Sequence, residues 1–87
     1  MVELSSVMQM LDELSQDRTV PRNVRTALQT AKEDLSNEKL DVDFRVSSAI
    51  SILDEVANDI NLPPYSRTQV WNVVSALETL NANLKKK

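Results

Sequence analysis

A chain of 87 residues with a net charge of −3, no Cys and no His predicts one small domain, residues 1–87, and excludes disulfides, thiol chemistry, His-based triads and Cys- or His-ligated metals. With no Gly either, it lacks the residue that takes positive φ without strain, so tight strand hairpins are disfavoured and helices joined by short polar loops are expected. The acidic balance argues against general affinity for nucleic acid, which needs a basic face.

No apolar run approaches the ~20 residues needed to span a bilayer. The opening Met-Val-Glu-Leu-Ser has neither the basic nor the apolar region of a signal peptide. A cytoplasmic protein with no membrane role is expected.

The first segment runs from about Val2 to Asp17. At about 100° per residue, Leu4, Val7, Met8, Leu11 and Leu14 share one face, with Ser5, Ser6, Gln9 and Glu13 opposite. The second runs from Pro21, suited to a first helical turn, to about Asn37. Val24, Leu28, Ala31 and Leu35 form its stripe, and Lys32 falls on the apolar side, where it is expected to snorkel outwards. The third starts after Asp41, a candidate N-cap. Its stripe is Val46, Ala49, Ile50, Leu53, Val56 and Ala57. The fourth starts at Pro63 or Pro64 and carries Val70, Val73, Val74, Leu77 and Leu84, with Leu80 nearby. Three terminal lysines, Lys85, Lys86 and Lys87, favour the C-terminal dipole and solubility.

Shifted by 42 residues, the second half lies over the first. Ser5, Ser6, Leu11, Asp12, Glu13, Asp17, Pro21, Arg25, Thr26 and Leu35 meet Ser47, Ser48, Leu53, Asp54, Glu55, Asp59, Pro63, Arg67, Thr68 and Leu77. Each unit, about 2–37 and about 42–86, reads as one αα-hairpin. A single hairpin cannot hide its apolar stripe, but two facing ones can. Short loops make successive helices antiparallel neighbours, so the expected fold is all-α, an up-down-up-down four-helix bundle. A fragment of an α-solenoid is the alternative.

The repeated polar residues have a structural reading first. Asp12 and Arg25 stand level across the first hairpin, as do Asp54 and Arg67 across the second. Each pair is expected to form an Arg–carboxylate clamp at the core edge. Asp17 and Asp59 are expected to set the turns or cap the next helix, with Val20 and Leu62 plugging the bundle end. Carboxylates alone could act as acid and base, but Glu13 and Glu55 point to solvent. No catalytic, cofactor-binding or metal residue is assigned, and no cofactor is expected.

Tyr65 and Trp71 break the pattern, since their counterparts are Asn23 and Gln29. They fit edge packing of amphipathic rings or a partner surface, which Met10 and Ile52 could extend. The leading functional expectation is a non-enzymatic helical module that meets a protein partner or its own copy. The alternatives are a nucleic-acid-associated factor using Arg18, Arg22, Arg25 and the lysine tail, and a carboxylate-based ligand binder or enzyme using Asp12, Glu13, Asp54 and Glu55.

The run Leu-Asp-Glu-Leu-Ser-Gln-Asp followed by Val-Pro-Arg-Asn-Val-Arg, then Ala-Ile-Ser-Ile-Leu-Asp-Glu-Val, Leu-Pro-Pro-Tyr-Ser-Arg-Thr and Trp71, resembles a family of short uncharacterised archaeal proteins over nearly the whole chain. The resemblance implies a compact four-helix bundle and a cytoplasmic archaeal origin. It supplies no activity, cofactor or binding residue.

Overall fold

The computed structural model describes residues 4–85, with side chains through Asn83. The expected start at Val2, the side chains of Leu84 and Lys85, and Lys86 and Lys87 lie outside the described residues. Four helices follow in order: α1 (Leu4–Ser15), α2 (Arg22–Ser36), α3 (Val42–Ala57) and α4 (Pro64–Lys85). Helix α1 packs on α2, α2 on α3 and α3 on α4, and the ring closes where α1 meets α4. The backbones of the two diagonal pairs stay apart among the described residues. Loops of five or six residues reverse the chain each time, giving the up-down-up-down bundle.

The core follows from the helical period. Leu11, Leu28, Ala31, Ala49, Leu53, Val70, Val73 and Leu77 are shut off from solvent, and the remaining stripe valines and leucines join them in one cluster. Leu4, Met8, Ile50 and Leu80 pack on its margin, half-buried. Val20 and Leu62 are buried in the loops, where they close one end of the bundle. No described helix is long and apolar enough to cross a membrane.

Helix ends depart from expectation by one or two residues. Helix α1 stops at Ser15 because Gln16 and Asp17 turn back to Glu13 and Leu14 carbonyls three residues behind. Pro21 stands at the N-cap of α2 and not inside it. Asp41 holds the N-cap position of α3, but its side chain makes no capping hydrogen bond. No described residue has positive φ, so the helices stop without the left-handed residue that usually ends them.

The chain reverses instead through one device at all three corners. The Asp17 carboxylate accepts the Thr19 N–H at 2.9 Å and its hydroxyl at 2.7 Å. Asn37 Oδ1 accepts the Lys39 N–H at 3.0 Å, and Asp59 Oδ1 the Asn61 N–H at 2.8 Å. These are Asx turns, in which a short side chain stands in for a backbone carbonyl. The next residue then bonds back: Val20 to the Asp17 carbonyl, Leu40 to Asn37 and Leu62 to Asp59, all at 3.1 Å.

Among the described residues four buried side-chain atoms have no hydrogen-bond partner, Arg25 Nε, Ser66 Oγ, Arg67 Nε and Asn81 Oδ1, and of these residues Ser66 is the most deeply enclosed. The Ser66 hydroxyl, in the first turn of α4, is 1% exposed and unpartnered. Ser66→Ala is expected to raise stability by up to about 1 kcal/mol, because it removes a desolvated hydroxyl that makes no bond. Urea denaturation of the variant checks this; a loss of stability would mean the hydroxyl is bonded after all.

Candidate functional site

The two expected clamps do not form. Asp12 accepts hydrogen bonds from the Lys32 ammonium and from the Gln16 amide at 3.0 Å, and Lys32–Asp12 is the one ion pair among the described residues. Asp54 is exposed and makes no ion pair. Arg25 and Arg67 turn to the corners instead. Arg67 Nη2 donates to the Asp59 carbonyl at 2.9 Å, and the Arg25 charge acts on Asp17.

The reason is the tilt of the Cα–Cβ bond towards each helix's own N-terminus. Helix α2 leaves the corner, so Arg25 leans back to it. Helix α1 approaches the corner, so Asp12 leans away from it. The two side chains diverge although their Cα atoms stand level. Lys32, about 10 Å further along α2, leans back towards the corner and meets Asp12. Its counterpart in the second half is Val74, so Asp54 finds no equivalent cation.

Other polar bonds cross between elements. Ser48 donates to Asp34 at 2.7 Å, linking α3 to α2. Asn23 donates to Asp59 at 3.2 Å, tying α2 to the last corner. The Lys32 bond, ahead of other causes, holds the Asp12 carboxyl below its ordinary value of 3.8. The Thr19 hydroxyl, then the Thr19 N–H and the Arg25 charge, does the same for Asp17. Carboxylates with depressed folded values stabilise above about pH 4, and that contribution disappears as pH falls through the lowered values. Thermal melts from neutral to strongly acid pH are expected to show this loss. Asp17→Asn keeps the turn acceptor, as Asn37 does at the second corner, so it should fold normally and lose less stability in acid.

The acidic pairs do not converge. Helices α1 and α3 occupy diagonal positions, with no close approach of their backbones among the described residues. Glu13 lines a surface groove between α1 and α4, whereas Glu55 lines a separate hollow between α2 and α3. The expected basic set does not gather either. Arg18 and Arg22 are exposed beside the first corner, and α4 ends at the opposite end of the bundle. Among the described residues no group of three acids could hold a metal ion.

The aromatic residues are the exposed chemistry. Tyr65 is 70% exposed, so its ring stands clear of the core edge, whereas Trp71 is 46% exposed, with the rest of the residue covered by its own chain. The Tyr65 hydroxyl accepts a bond from Gln69 at 3.3 Å. The α1–α4 groove, about 430 Å³, is lined by Met10, Leu14 and Tyr65 with Glu13, Asp17 and Gln69 among others. Met10 thus joins Tyr65 as expected, while Ile52 lines the α2–α3 hollow and is not part of that patch. Sequence reasoning missed Ile60 and Phe44, which are 89% and 59% exposed. The signal was present. Ile60 takes the place of Arg18 forty-two residues earlier, and Phe44 lies opposite the Val46–Leu53 stripe.

The comparisons with known proteins agree with this architecture. A family model described as "Uncharacterised protein family (UPF0147)" matches residues 2–80. UPF0147 protein TV0625 of Thermoplasma volcanium is 49% identical over 76 residues, 87% of this chain and 85% of that protein. UPF0147 protein MJ1419 of Methanocaldococcus jannaschii is 49% identical over 75 residues, 86% of this chain and 81% of that protein. The crystal structure of the UPF0147 protein of Thermoplasma acidophilum superposes with a TM-score of 0.84 at 49% identity, covering 87% of this chain and 89% of that one. The crystal structure of MMP1188, a protein of unknown function, superposes at 0.83 with 40% identity, covering 91% and 94%. Matched over most of its length in sequence and in fold, the chain belongs to the UPF0147 family, whose relatives here are archaeal.

Proposed function

We propose that this protein is a cytoplasmic, non-enzymatic helical module whose work is to hold a protein partner against its outer surface. The observation that carries the reading is the exposure of Tyr65 and Trp71 on one helix beside a core that is already closed. Aromatic rings with a polar tip are the residues that interfaces favour, because one ring contributes large contact area and a directional bond. The buried core is built of aliphatic residues, and neither ring is among them.

The test separates folding from binding. The double variant Tyr65→Ser, Trp71→Ser is expected to melt within a few degrees of the wild type, since both rings are exposed. Affinity-tagged wild type and variant are then used as bait in a native extract after mild crosslinking. The reading expects a defined protein captured by the wild type and lost with the variant. Identical captures by both, or none by either, would count against it.

A further inference from the structure

The groove between α1 and α4 has a counterpart across the bundle. Met10, Glu13, Leu14 and Asp17 line it from one side, and Tyr65 and Gln69 from the other. Displaced by 42 positions in each case, Ile52, Glu55, Val56 and Asp59, with Asn23 and Ala27, line the hollow between α3 and α2. Aligned residues thus build the same kind of site twice.

The two sites differ in one contact. At the hollow, Asp59 holds its corner with Oδ1, which accepts the Asn61 N–H. Its Oδ2 reaches α2, where the Asn23 amide donates to it at 3.2 Å. At the groove, Asp17 Oδ1 likewise holds the corner, accepting from Thr19. Its Oδ2 receives no donor from α4 among the described residues. The residue in Asn23's place is Tyr65, whose hydroxyl accepts from Gln69 and whose ring stands exposed. The Arg25 charge acts on Asp17, but without a hydrogen bond among the described residues. Glu13, one turn before Asp17, adds a second carboxylate to the groove. The groove is also the roomier site, about 430 Å³ against about 190 Å³.

We infer that the α1–α4 groove takes an arginine side chain of a protein partner, whose guanidinium gives Asp17 the N–H bond that Asn23 gives Asp59 within the chain. The inference rests on the interaction-module reading and names the partner's chemistry. A guanidinium presents paired N–H donors in one plane, which suits a carboxylate, and it stacks on an aromatic face. Glu13 and Asp17 supply the carboxylates and Tyr65 the ring. The arginine stem lies along Met10 and Leu14. A lysine ammonium has neither the plane nor the paired donors, and an acidic side chain meets two carboxylates of its own sign.

Titration of the isotopically labelled chain with the end-blocked peptide Ala-Arg-Ala, followed by NMR, tests this. Saturable shifts are expected at Gln16, Asp17, Tyr65 and Gln69, in the millimolar range for one anchoring side chain. The peptide Ala-Gln-Ala should produce none. Asp17→Asn, which keeps the turn acceptor, should weaken the arginine peptide about tenfold or more, the loss of a bond between charged groups. Tyr65→Asn, which sets the donor of the other site in place, should weaken it similarly. Tyr65→Phe keeps the ring and should bind as the wild type does. No shifts in the groove, or shifts indifferent to Asp17→Asn and Tyr65→Asn, overturn the inference. Groove shifts that grow with protein concentration in the absence of peptide put a second copy's arginine there and overturn the partner assignment. The capture experiment separates the two claims. A protein lost with Tyr65→Ser, Trp71→Ser but kept with Asp17→Asn ends the arginine groove and leaves the module reading standing. Peptide binding with no protein captured by the wild type ends the module reading, and with it the protein source of the arginine.

Discussion

Leu28→Ala is expected to remove about 2–5 kcal/mol of stability, the range for a fully enclosed leucine cut back to a methyl group. Leu28 is 0% exposed, and α2 is packed between α1 and α3. The missing atoms therefore leave a cavity between helices held on both sides, which cannot easily collapse. A chain of this length has roughly 4–13 kcal/mol in total, so a single change removes a large share of it. The midpoint of thermal unfolding should fall by about 10–30 °C. Leu28→Met keeps most of the volume and should cost less than about 1.5 kcal/mol. Ile60→Ala, at a side chain 89% exposed, should stay within about 0.5 kcal/mol of wild type. Urea denaturation followed by circular dichroism gives all three. If Leu28→Ala and Ile60→Ala cost the same, the assignment of the core is wrong.

The helical stripes could be read because the 3.6-residue period belongs to the backbone and survives any loop conformation. Val7, Leu11 and Leu14, or Val70, Val73, Val74 and Leu77, had to share a face once those segments were helical. The shortness of the loops then left little choice of topology. The Asp12–Arg25 pairing failed for a different reason. Register placed the two Cα atoms correctly, but register says nothing of the direction in which long side chains lean. Lys32 was placed on the apolar side and expected to snorkel; the nearby carboxylate of Asp12 gives its ammonium a closer destination. The exposed Ile60 escaped notice because a turn residue belongs to no stripe, so no period marks it as out of place.

The middle corner was hidden by the choice of offset. A shift of 42 residues aligns the first corner with the third and passes over the second. Yet Asn37, Leu40, Asp41 and Arg45 stand at the spacing of Asp17, Val20, Pro21 and Arg25, and of Asp59, Leu62, Pro63 and Arg67. The backbone bonds agree as well. Arg25, Arg45 and Arg67 each donate their N–H at 2.9 Å to the carbonyl four residues behind, which opens the next helix.

Replacing these arginines by methionine is expected to destabilise the protein in the order Arg45, Arg67, Arg25. Methionine keeps the apolar stem and removes the guanidinium, so the series isolates the polar part of each corner. Arg45 Nε donates to the Leu40 carbonyl at 2.8 Å in a partly buried bond. Its loss should cost about 1.5–3 kcal/mol, the range for a bond to a charged group. Arg67 bonds the Asp59 carbonyl through Nη2, but that carbonyl also receives the Leu62 N–H and is not orphaned. The buried Arg67 Nε has no partner, and removing it offsets part of the loss, so about 1 kcal/mol is expected. Arg25 has the same unpartnered Nε and acts on Asp17 through its charge alone, so Arg25→Met should cost less than about 1 kcal/mol. A double-mutant cycle discriminates this account from the clamp. Coupling between Asp12 and Arg25 should be near zero, while Asp12 and Lys32, joined by the ion pair, should show a small favourable coupling. Strong coupling of Asp12 to Arg25, or a larger loss for Arg25→Met than for Arg45→Met, would restore the clamp and remove the corner as the site where these arginines act.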